Sequence, residues 1–329
     1  MKVRRAFVLA ILLMMVFSSS CDVSVQKTSI APTITLEPQP EDDPIDEVLM
    51  TAMPMDESLL SEETATFQTE VNLGEQTLFR EIDGMEMIEI PQGEVWIGCD
   101  ESNNAGFACM ADELPLHQVV VDEFWIDKYE VSNAQFALCV QAGACETPYY
   151  QRSVTRTEYY ADPEFSDYPR VAVSWFEAQE YCNWAGGRLP SEAEWVRAAR
   201  GEDQRVYPWG DELPNCNLAN TLDENTGHMC VGDTASVGSY PLGASPFGVM
   251  DLAGNAWEWM ADWYHKDYYS FSPRENPQGP EIGGTKVVHG GGFDYSWKHS
   301  RIAYTSDHDP KEHKIGFGFR CVMDSFEGN

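Results

Sequence analysis

From Met85 onward, apolar and polar residues alternate over short stretches punctuated by Gly and Pro, the pattern of brief strands joined by tight turns. EMIEIPQGEVWIG (86–98) predicts a strand pair, and LHQVVVDEFWIDKYEVS (116–132) predicts a strand rich in Val, Phe, Trp and Ile. Three helices follow, each announced by its start signal. Ser132 caps NAQFALCVQAG, which stops at Gly143, and Ser174 caps WFEAQEYCNWA. Ser191 with Glu194 forms a capping box at the head of RLPSEAEWVRAARG, where the serine and glutamate satisfy each other's free backbone N–H groups. Beyond Gly201 the chain reads as turns and short apolar segments. Mixed short strands and about three helices predict a single irregular α+β domain over 85–329, large enough for its own core.

Residues upstream of Met85 read differently. Lys2, Arg4 and Arg5 precede an apolar run from Ala6 to Phe17, too short to span a bilayer and shaped as an export signal over 1–20. Cys21 follows at the position where a bacterial lipoprotein is cleaved and acylated, although Ser18 stands where such signals carry a large aliphatic residue. The expected location is the cell envelope, by a lipid anchor on the outer side of the cytoplasmic membrane, or secretion. Residues 21–84 are acidic and Pro-rich, with Lys27 and Arg80 as their basic residues. That composition buries too little apolar surface to offset chain entropy, and predicts a disordered tether.

The formal net charge of −33 repels phosphate backbones and excludes nucleic acid as an expected partner. Partners are an unidentified envelope or extracellular ligand and, through the anchor, the membrane. Setting Cys21 aside leaves eight cysteines of the nine, an even number in an exported chain, so disulfides are expected. Proximity suggests Cys99 with Cys109 and Cys139 with Cys145. Spacing alone does not pair Cys182, Cys216, Cys230 and Cys321. No C-x-x-C occurs, which argues against a zinc cluster.

Seven phrases, IPQGEVWIG, YEVSNAQF, PRVAVSWFEAQEYCNWAGGRLPSEAEWVRAARG, YPWG, SPFGVMDLAGNAWEWMADWY, VVHGGGF and IGFGFRCV, occur in one order. Together they resemble the formylglycine-generating enzyme (sulfatase-modifying factor) family over roughly Met85 to Asp324. The resemblance implies a loop-rich variant of the C-type lectin fold, low in regular secondary structure. It also implies a Cys182–Cys321 disulfide, which leaves Cys216 to pair with Cys230. A calcium ion is implied at DLAGNAWEW, held by Asp251 and Glu258 with backbone oxygens near Gly254 and Ala256, and Asn220 matches a ligand of a second calcium. Carboxylate and carbonyl oxygens around a Gly turn suit a hard cation. The residues by themselves equally allow Glu258 to pair with an arginine and Asp251 to cap a turn.

In the family's enzymes, two cysteines between the GGS-type turn and the GFR-C phrase bind copper(I) and activate oxygen. Here GGGFDYSWKHSRIAYTSDHDPKEHKIGFGFR holds no cysteine. Soft thiolates select monovalent copper, so copper is not expected and no catalytic residue is identified. His289, His299, His308 and His313 lie in or beside this interval and offer imidazole in place of thiolate. The reading is a non-catalytic ligand-binding or structural module, stabilised by calcium and disulfides, whose surface is Phe293, Tyr295, Trp297, His299 and Tyr304. The alternative is an oxidoreductase of the formylglycine-generating type with an altered active site.

Overall fold

The computed structural model describes residues 77–324, within a unit spanning 70–329. The signal segment, Cys21 and most of the 21–84 tether lie outside the described residues. In chain order the strands are β1 (Thr77–Phe79), β2 (Glu86–Ile90), β3 (Gly93–Ile97), β4 (His117–Val121), β5 (Phe124–Asp127), β6 (Leu222–Asp223), β7 (His228–Met229), β8 (Trp257–Trp263), β9 (Lys286–His289), β10 (Ser306–His308), β11 (Phe317–Gly318) and β12 (Val322–Met323). The α-helices are α1 (Asn133–Gln141), α2 (Trp175–Trp184) and α3 (Glu192–Arg200). The strands form two four-stranded sheets, ordered β1-β2-β5-β12 and β10-β9-β8-β11, and two separate pairs, β3-β4 and β6-β7.

All three predicted helix caps form, with Ser132, Ser174 and Ser191 each accepting the backbone N–H three residues on. The two strands of EMIEIPQGEVWIG do not pair with each other: β2 joins β1 and β5, whereas β3 joins β4. Pro91 and Gln92 redirect the chain between two sheets rather than closing a hairpin. The longest strand, β8, falls in the region that read as turns. Its WEWMADW sequence is buried at Trp257, Glu258, Trp259, Met260 and Asp262, so no inside/outside alternation marks it.

The domain also begins earlier than composition predicts. β1 pairs with β2 inside the expected tether, and Arg80 and Asp83 are buried. Arg80 binds Asp83 at 2.6 Å and Asp127 at 2.9 Å, and Tyr181 donates to Asp83 at 2.6 Å. A window average misses this because the acidic residues that suggest disorder include one that is neutralised by an arginine three positions away.

Helix α3 is buried along its whole length between the strands, while α1 and α2 pack with Trp257, Trp259, Phe317 and Phe319 in a second apolar cluster. Four disulfides join Cys99–Cys109, Cys139–Cys145, Cys182–Cys321 and Cys216–Cys230, the pairing expected above. Cys182–Cys321 spans 139 residues and ties α2 to the last strand. Closing so long a loop contributes roughly 4–5 kcal/mol in the chain-entropy picture. Four such bonds suit an oxidising, extracytoplasmic compartment. Among the described residues no helix is long and apolar enough to cross a membrane.

Next to that disulfide, Arg320 enters the core fully buried. Its Nε and Nη2 each donate to Glu258 at 2.7 Å. The remaining donors go to the carbonyls of Asp127 at 3.0 Å, Lys128 at 3.2 Å and Met250 at 2.8 Å. Trp195 of α3 donates its indole N–H to Glu258 at 2.9 Å. Removing one partner strands a buried charge, at a cost of about 3–5 kcal/mol, whereas removing both leaves none. Arg320→Met should therefore destabilise the domain more than Arg320→Met combined with Glu258→Leu. Urea unfolding of the four members of this cycle measures the coupling, and independent, additive effects would contradict the assignment.

Candidate functional site

Two constellations meet at the N-terminal end of β8. The first is the polar turn that precedes it. Asp251 and Asn255 adopt positive φ (59° and 61°) around Gly254, and an added Cβ at Gly254 would lie 2.4 Å from the Asn220 carbonyl, so glycine is required there. The turn draws in Glu130, a buried residue that the sequence reading passed over. Glu130 accepts from the Ala256 N–H at 2.9 Å and the Asn255 side-chain amide at 2.6 Å. Asn255 in turn accepts from Asn220 at 3.1 Å and from the Ala235 N–H at 2.8 Å.

Glu130, Asp251 and Glu258 thus share a buried region with Arg320, three carboxyls to one guanidinium. Burial, then the charge of Asp251, pushes Glu130 well above the usual carboxylate range, and burial pushes Asp251 to about 6. Glu258 takes up the ion-pair alternative, with both oxygens committed to Arg320 and Trp195. Asp251 accepts one N–H, from Gly238 at 2.6 Å. Among the described residues the buried Oδ1 of Asn220 has no hydrogen-bond partner. A surplus of carboxyl groups over guanidinium and an unpartnered amide oxygen are of the chemistry that suits a hard cation, and Asp251 is less committed than Glu258, whose two oxygens serve Arg320 and Trp195.

The second constellation fills the interval from which thiols are missing. After β9, Gly290 and Gly291 turn with φ of 95° and 74°, and a Cβ on Gly291 would crowd the His299 carbonyl at 3.0 Å. This closeness folds the next segment back over β8. Ring centroids of Tyr295 and His299 stand 5.1 Å apart, those of His299 and Tyr304 4.7 Å, and Trp257 packs beneath at 5.1 Å from Tyr295 and 6.0 Å from Tyr304. Tyr295, His299 and Tyr304 are half-buried and form the open face. Phe293 and Trp297 are 2% and 5% exposed and belong to the support beneath it, a correction to the expected surface. Alternation of aromatic and polar residues does not reveal this, because 297–300 form a short 3-10 turn rather than a strand.

Burial holds His299 below the usual imidazole range and raises Tyr295 and Tyr304, so all three rings are neutral near neutral pH. The other histidines of the region disperse. His289 is buried against Glu192 at 2.8 Å and stacks on Trp195. His313 meets Glu177 at 2.8 Å, and His308 lies against Phe317, bonded to Lys314 at 2.7 Å.

Comparison with known proteins agrees with this architecture. Residues 75–325 match the family model described as sulfatase-modifying factor enzyme 1-like domain. The formylglycine-generating enzyme of Streptomyces coelicolor is 32% identical, with 72% of this chain and 89% of that protein covered. The serine/threonine-protein kinase pkn1 of Chlamydia caviae is also 32% identical over 72% of this chain, which spans 38% of that longer relative. The solved structure of PvdO from Pseudomonas aeruginosa superposes with a TM-score of 0.61 at 25% identity, covering 75% of this chain and 97% of that one. The chain belongs to the sulfatase-modifying factor family, on an irregular scaffold of the C-type lectin type.

Proposed function

We propose that this protein is an extracytoplasmic, non-catalytic recognition module in which the family's reactive groove has become a binding surface. The observation that carries the reading is the Tyr295–His299–Tyr304 face over Trp257, neutral and aromatic, in the interval Gly290–Arg320 that lacks every thiol. Rigid aromatic rings supply contact area at low entropic cost, and their hydroxyl and imidazole groups supply direction. Disulfides and α3 hold the loops that present them, a division between scaffold and variable surface that suits a lectin-like fold. Peptide and glycan arrays probed with the mature protein test the reading. Tyr304→Ala and His299→Ala should each lower binding by about tenfold or more, as removal of a central aromatic contact does, while the melting temperature changes little. Retained binding in both variants places recognition elsewhere.

Calcium completes the proposal, held by Asp251 and Glu130 with the amide oxygen of Asn220 nearby; when bound it neutralises the carboxylate surplus. The Asp251 carboxyl has its folded pKa raised to about 6, above the unfolded value of about 3.9. Its protonation stabilises the fold fully below the unfolded value, and that contribution is lost as pH rises through about 6. A cation replaces the missing proton. Calcium should therefore raise the melting temperature more at about pH 7.5 than at about pH 5, by mass action on the folded state. Asp251→Asn should blunt the response. Glu258→Gln is not diagnostic, since it disturbs Arg320 with or without calcium. A melting temperature indifferent to calcium and chelator at both pH values would remove the ion from the account.

A further inference from the structure

Apart from the groove, one disulfide sits in surroundings unlike the other three. Cys99 follows β3 by two residues and is 1% exposed, whereas Cys109 is half-buried between the exposed residues Ala108 and Met110. The two lie 10 residues apart. The Arg301 guanidinium reaches Cys99 Sγ at 3.8 Å, and the Asn104 amide reaches Cys109 Sγ at 3.7 Å. The carboxylate of buried Glu113 lies within 4.8 Å of both sulfurs and binds Arg301 at 2.7 Å. Lys298 adds a second positive charge at the neighbouring Met110, 3.2 Å from its sulfur.

The remaining bridges lack this combination. Cys182–Cys321 is fully buried, and Cys139–Cys145 is 0% and 7% exposed. Cys216–Cys230 is the more accessible bridge, with Cys216 exposed and Cys230 half-buried, yet among the described residues no side chain donates a hydrogen bond to either sulfur. At Cys99 the Arg301 guanidinium is already paired with Glu113, so it is its N–H directed at the sulfur, rather than net positive charge, that stabilises a departing thiolate, and a thiol that leaves as a stabilised anion leaves faster.

We propose that Cys99–Cys109 is a thiol–disulfide exchange site that accepts two electrons from a dithiol. A donor thiolate attacks the accessible Cys109 Sγ; the S–S bond breaks, and its electron pair departs on Cys99 Sγ facing Arg301. The donor's second thiolate then attacks the donor sulfur of the mixed disulfide, releasing Cys109 and closing the donor as a disulfide. The two protons given up by the donor end on Cys109 and Cys99, so the two dithiols exchange oxidation state with nothing left over. Opening the bond also unties residues 100–108, whose Asn104 accepts from Arg301 at 2.5 Å. Arg301 lies 5.8 Å from the Tyr304 ring, so the redox state of this bridge reaches the aromatic face.

The test is timed reduction of the full-length protein by dithiothreitol, quenched by alkylation and read by peptide mapping. Cys99 and Cys109 should become labelled on the order of tenfold faster than Cys216 and Cys230, with the two buried bridges still closed. Equal or faster opening of Cys216–Cys230 would overturn the proposal, because it would make accessibility alone decisive. Arg301→Gln should erase the advantage. Should that variant not fold, Arg301→Lys, which keeps the charge but loses the planar fork of donors, should still slow opening by several-fold, and an unchanged rate there counts against the site equally.

Discussion

The domain depends on one buried ion pair. Arg320, the residue before the last disulfide cysteine, spends its guanidinium on Glu258 and on the carbonyls of Asp127, Lys128 and Met250. Those contacts bring together β5, the turn before β8, β8 and the C-terminal segment, which are separated in sequence by up to 193 residues. A fold with little regular structure has few backbone ladders to fix such distances. A charge that is costly to bury unpaired therefore acts as a registration device, since only the native arrangement satisfies all of its donors. Asp127 extends the same joint, accepting from the Cys321 N–H at 2.9 Å and holding Arg80 on β1.

The joint also explains why the two candidate sites are neighbours. Glu258 follows Trp257 at the start of β8, so the strand that carries the ion pair also carries the floor of the aromatic face. The preceding turn gathers Glu130 and Asp251 close to Arg320, leaving more carboxyl groups than one guanidinium can hold ionised. The scaffold of the family is retained, while the segment above it carries tyrosine and imidazole and no cysteine between Gly290 and Arg320.

Much of this was legible in the sequence where the signal is local. Serine caps, the run of seven ordered phrases and the two short-range cysteine pairs each depend on residues close together in the chain. Partnerships across the chain were less visible. Glu130 sits in YEVSNAQF, which reads as a lead-in to α1, and nothing nearby signals that its carboxylate serves Ala256, 126 residues away. Glu258 was open to either a cation or an arginine, and only folding selects Arg320. Phe293 and Trp297 look like surface aromatics because their neighbours are polar, but a glycine turn with positive φ folds them inward. Arg80 and Asp83 carry a related lesson: an acidic average hides a specific ion pair.

On the scaffold of the family, the interval between Gly290 and Arg320 carries rings and no thiol. The most direct measurement is mass spectrometry of a C-x-P-x-R peptide incubated with the protein, copper(I) and oxygen. The peptide cysteine should remain unchanged, because both the soft metal ligands and the redox partner are missing from that interval. Conversion of the cysteine to formylglycine, abolished by His299→Ala or His308→Ala, would contradict it and identify a histidine-dependent oxidase.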